Sequence, residues 1–86
     1  MQPKKPLLRY LEKQNLDPEQ IIRLGRRRNF DRITTIKAMQ QVYWDIRQGN
    51  KELFGFGFVN EVFKIAPEIQ RQRFLNQFEL GDDNGG

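Results

Sequence analysis

Apolar residues recur at three- and four-residue spacings through most of this chain, while the two-residue alternation of strands is almost absent. The pattern predicts helices. The first runs from Pro6, a residue suited to an opening turn, to about Asn15, with Leu7, Leu8, Tyr10 and Leu11 on one side. A second begins where Asp17 precedes Pro18, since a capping carboxylate followed by a first-turn proline is a start signal. At 100° per residue its Ile21, Ile22, Leu24 and Gly25 share one side, and Arg23, Arg26 and Arg27 share the other. Arg28 would fall back on the apolar side, so this helix ends near residues 27–29, with Asn29 as a terminating residue.

Asp31 or Asn29 caps the third and longest helix, which extends to about Gln48 and stops at Gly49. Ile36, Met39, Val42, Tyr43 and Ile46 form its stripe, and Ile33 and Trp44 lie at the stripe's edge. From Asn50 the chain is apolar nearly all round, through Leu53, Phe54, Phe56, Phe58, Val59, Val62, Phe63 and Ile65, which predicts a buried central helix. Ala66-Pro67 breaks that helix and opens a last one over 67–79, with Phe74, Leu75 and Phe78 inside and Arg71 and Arg73 outside. The expected fold is all-α: one domain, residues 6–80, built as a compact array of four or five short helices. A flexible basic leader over 1–5 and a disordered acidic tail over 81–86 flank it.

Charge is divided unevenly along this array. Residues 1–40 carry ten Lys/Arg against four Asp/Glu, residues 41–86 carry five against seven, and eight of the ten aromatic residues fall in the second stretch. A basic docking surface joined to an aromatic core is a binding protein's division of labour. Catalysis is disfavoured by inventory, because the chain has no His, no Cys and no Ser. The commonest general base and the two commonest nucleophiles are therefore missing. No spacing suggests a metal or cofactor site, no apolar run approaches the length needed to span a bilayer, and no secretion signal is visible. The expectation is a non-enzymatic, cytoplasmic module without a cofactor.

Two readings follow for what it binds. In the leading one, Arg23, Arg26, Arg27, Arg28 and Arg32, assisted by Lys37 and the Lys4-Lys5 leader, contact the backbone of DNA or RNA. Guanidinium forks match phosphate oxygens bidentately. The bland counterpart is a solvated face, with Arg23 and Arg27 paired to Glu19 or Asp31. A helix-turn-helix over residues 18–40 registers poorly, since aligning Gly25 with the turn puts Asp31 at a core position. The second reading is a protein-interaction adaptor, with self-association included. Trp44, Phe54, Phe56 and Phe58 then form an exposed apolar patch and the arginines select an acidic partner. Two glycines within Phe54-Gly55-Phe56-Gly57-Phe58 are best explained by close approach of another helix, and otherwise by a bend exposing the phenylalanines.

Overall fold

The computed structural model describes residues 1–85, with side chains over 1–77. Four helices form among the described residues: α1 (Lys5–Lys13), α2 (Pro18–Arg27), α3 (Arg32–Arg47) and α4 (Phe56–Gly85), with no strand. The fold is all-α, as the periodicity predicts.

Start and stop signals act where the sequence puts them. Asp17 accepts from the Glu19 amide at 3.0 Å, and Asp31 accepts from the Thr34 amide at 2.9 Å. Each carboxylate thereby satisfies one of the free donors in a first turn. Helices α1, α2 and α3 close in the same way, on a residue of positive φ: Asn15 (57°), Asn29 (68°) and Gly49 (80°). In each case the next amide reaches back around the turn, Leu16 to the Leu11 carbonyl at 2.8 Å, Phe30 to Gly25 at 2.9 Å and Asn50 to Asp45 at 3.0 Å. Such paired closures satisfy the last carbonyls and turn the chain sharply.

Packing centres on α3, whose contact with α4 is the most extensive in the molecule; α2 and α1 cover its other sides. Ile36, Met39 and Val42 of α3 meet Phe58, Val62 and Ala66 of α4, with Leu7, Leu11, Ile21 and Ile22 completing the buried core. The Tyr10 ring lies 5.5 Å from Tyr43 and 5.3 Å from Phe58, both tilted. Gly25 allows α2 and α3 a close approach: a Cβ there would lie 2.4 Å from Thr35 Oγ1.

Three expectations need correction. Residues 50–55 are a loop, so the helix expected from Asn50 begins at Phe56. Phe54 and Phe56 stand 74% and 75% exposed, and only Phe58 enters the core. Gly55 has φ 54° and turns the chain, while a Cβ at Gly57 would meet only Leu53 Cδ2, at an ordinary 3.9 Å. Gly55 therefore serves a bend. The helix-approach role belongs to Gly25.

Second, Pro67 does not break the chain but sits inside α4, exposed. Proline removes one backbone bond and costs a helix interior about 3 kcal/mol. Burial of Val62 and Ala66 before it and the Arg73–Asp31 pair after it hold both halves on α3. Third, the faces of the last segment differ in part from the expectation, although Arg71 is exposed as expected. Arg73 turns inward to Asp31 and Thr34, whereas Phe74 and Leu75 are 60% and 44% exposed. Phe78 and the acidic tail lie outside the described side chains. Among the described residues, no helix is long and apolar enough to cross a membrane.

Candidate nucleic-acid interface and the adjoining groove

The arginine cluster separates into two kinds of side chain. Arg32, in the first turn of α3, grips Glu19 of α2 with both guanidinium nitrogens at 2.9 Å and donates to the Met1 carbonyl at 3.2 Å. Hydrogen bonding from Arg32 holds the Glu19 carboxyl below its ordinary range, against the opposing effect of burial, and the charges of Arg32, Arg23 and Arg26 add to it. Arg28, the residue closing α2, lies over the Phe63 ring at 4.8 Å, and Phe30 stacks on the same ring at 6.4 Å. Both arginines hold elements together.

Arg23, Arg26 and Arg27 are different. All three are exposed on one side of α2, and none forms an ion pair among the described residues. The carboxylates that could have neutralised them are used elsewhere, Glu19 by Arg32 and Asp31 by Arg73 at 2.8 Å. Burial works against the Asp31 charge, but hydrogen bonds from Arg73 and from the Thr34 side chain and amide, with the Arg73 charge, bring its pKa down to about 2. Three exposed guanidinium groups with no ion pair among the described residues thus occupy one turn of helix, a rise of roughly 6 Å.

Lys37 does not join them. It lines a groove of about 690 Å³ between the N-terminal segment, α3 and the second half of α4, together with Trp44 one heptad further along α3. Trp44 is 58% exposed. Leu7, Tyr43 and Ile69 supply the apolar surface around it, and Lys4 and Arg47 add cations. Gln40 lines the same groove, and its buried Nε2 has no hydrogen-bond partner among the described residues. Phe54, on the loop, and Phe56, the first residue of α4, lie outside this groove, on either side of the Gly55 amide that donates to Gln14 Oε1 at 3.0 Å. The four aromatic residues singled out in the sequence therefore fall in three places: the groove, the junction of loop and α4, and the core.

The groove itself was not legible in the sequence, because it is built from three segments far apart in the chain. Its one sequence signal was the position of Trp44 beside Lys37 at a stripe's edge. No three potential metal-ligating side chains converge among the described residues. Neither a protein-family model, a curated protein nor a solved structure matches this chain, which the geometry defines as a small all-α domain.

Proposed function

We propose that this protein is a small, non-enzymatic, cytoplasmic accessory module that associates with the phosphate backbone of DNA or RNA through Arg23, Arg26 and Arg27. The observation that carries the reading is that none of these three forms an ion pair among the described residues, although Glu19 and Asp31 lie close by in the chain. A surface arginine usually gains little from staying unpaired, and phosphate oxygens are the ligands its fork suits best. Arg28 and Arg32 support the face by fixing the end of α2 and the start of α3. The lack of His, Cys and Ser supports a binding role over a catalytic one.

The test is fluorescence anisotropy with short labelled duplex DNA and RNA over a series of salt concentrations. Three neutralised phosphates give a slope of about −2.7 in log K against log salt for duplex DNA. The Arg23→Ala/Arg26→Ala/Arg27→Ala variant should flatten that slope and weaken binding. Lys37→Ala, on the groove, should leave it nearly unchanged. Absence of binding at low salt, or an indifferent triple variant, overturns the proposal. The half-exposed Trp44 in its groove favours a second reading, protein interaction, at a separate surface.

A further inference from the structure

The groove beside Trp44 has the size and lining of a small-molecule site. Its volume of about 690 Å³ falls within the roughly 300–1,000 Å³ of pockets that enclose one organic ligand. Leu7 of α1, Tyr43 and Trp44 of α3 and Ile69 of α4 give it apolar walls. Along α3 the lining includes one row, Lys37, Gln40, Trp44 and Arg47, at spacings of three, four and three residues. From Lys37 to Arg47 this row rises roughly 15 Å, so it suits an elongated ligand.

The polar groups of the groove converge at the Lys37 end of that row. Of the three glutamines in the lining, two have engaged amides: Gln41 Nε2 donates to Asp45 at 3.3 Å, and Gln72 Nε2 donates to Glu68 at 3.2 Å. Gln40 Nε2 is buried and has no partner among the described residues. Buried donors are nearly always satisfied, so one left over on a groove wall calls for an acceptor from outside the chain. Lys37 lies one turn before Gln40, exposed and without an ion pair among the described residues. Lys4 and Arg47 are likewise unpaired there, against Glu68 as the one acidic residue of the described lining. An anionic oxygen at Lys37 and Gln40 therefore gains charge-assisted hydrogen bonds in a lining of positive surplus.

We infer that the groove binds a small amphipathic carboxylate, its head at Lys37 and Gln40 Nε2 and its apolar chain along Trp44, Tyr43, Leu7 and Ile69. This goes beyond both readings above, since it rests neither on phosphate binding nor on a protein partner.

Trp44 is the single tryptophan of the chain, so its emission reports on the groove. Titrating the full chain with dodecanoate, below its micelle concentration, should shift that emission to the blue and saturate with a Kd of roughly 1–100 μM. Dodecyltrimethylammonium, the same chain with a cationic head, should bind about ten-fold more weakly or worse. Lys37→Glu should weaken dodecanoate about ten-fold or more, and Gln40→Leu several-fold. Arg47→Glu, roughly 15 Å further along α3 and beyond a Debye length of about 8 Å, should change the affinity less than about three-fold. The Arg23→Ala/Arg26→Ala/Arg27→Ala variant should titrate as wild type, which keeps failure here apart from failure of phosphate binding. Circular dichroism should report an unchanged fold for every variant. An emission that does not move or does not saturate overturns the proposal. Equal binding of the cationic amphiphile, or indifference to both Lys37→Glu and Gln40→Leu, overturns it as well.

Discussion

Replacing Gly25 by alanine tests the central packing of the molecule. The new Cβ would lie 2.4 Å from Thr35 Oγ1 and 3.4 Å from both Thr35 Cβ and Phe63 Cε1. Thr35 is fully buried, and its hydroxyl donates to the Asp31 carbonyl at 3.0 Å. The oxygen cannot retreat without giving up that bond, so the α2–α3 spacing must widen. Overpacking of this kind costs about 1–3 kcal/mol, with a deep overlap toward the upper end, and better helix propensity returns about 0.8–1 kcal/mol. The expected net loss is about 1–2 kcal/mol, or roughly 5–15 °C in Tm for a chain of this size. Urea denaturation followed by circular dichroism should show a lower midpoint at constant slope. Adding Thr35→Ala removes the clashing oxygen and leaves ordinary contacts. The double variant should therefore recover part of the loss, with a coupling of about 1 kcal/mol or more. A Gly25→Ala protein as stable as wild type, or a coupling near zero, would falsify the close approach of α2 to α3.

Three further outcomes are expected. Phe58→Ala should cost about 3–5 kcal/mol as a core truncation, whereas Phe54→Ala and Phe56→Ala should stay within about 0.5 kcal/mol, all by the same denaturation assay. Because the folded pKa of Asp31 is depressed from its ordinary 3.8 to about 2, its contribution is complete above pH 4 and vanishes as pH falls toward 2. Its carboxylate is 57% exposed, which limits that contribution to roughly 1 kcal/mol from cap and ion pair together. Asp31→Asn should flatten the acid limb of a stability–pH curve, and an unchanged limb refutes the assignment. Pro67→Ala restores an amide donor inside α4 and should raise stability by about 1–3 kcal/mol; a lower unfolding midpoint would refute a cost of proline at this position.

What could be read in advance, and what could not, follows the range of the physics involved. Asp17, Pro18, Asn29, Asp31 and Gly49 act through their own backbone neighbours, so their roles were visible without a fold. The failures are tertiary. Phe54, Phe56 and Phe58 alternate identically with glycine, and nothing local tells which ring will meet Tyr10 and which will meet water. Pro67 carries a local stop signal that packing along α3 outweighs. Arg73 reads as a surface residue until Asp31, 42 positions earlier, is brought beside it. The same distance effect governs the candidate site, since the availability of Arg23, Arg26 and Arg27 depends on which distant side chains take the nearby acids.

Two hydrogen bonds made by α1 bear on how the chain reaches this state. The Tyr10 hydroxyl donates to the Leu53 carbonyl at 3.1 Å, and Gln14 holds the Gly55 amide, across separations of 43 and 41 residues. Helices α2 and α3 join through a tight turn and can pair with little loop-closure entropy, whereas docking of α1 requires the whole intervening chain to be in place. The nine residues of α1 are thus the closing piece of the assembly. Substitutions at Tyr10 or Gln14 should speed unfolding and leave the folding rate almost unaltered, the kinetic mark of contacts made after the barrier is crossed.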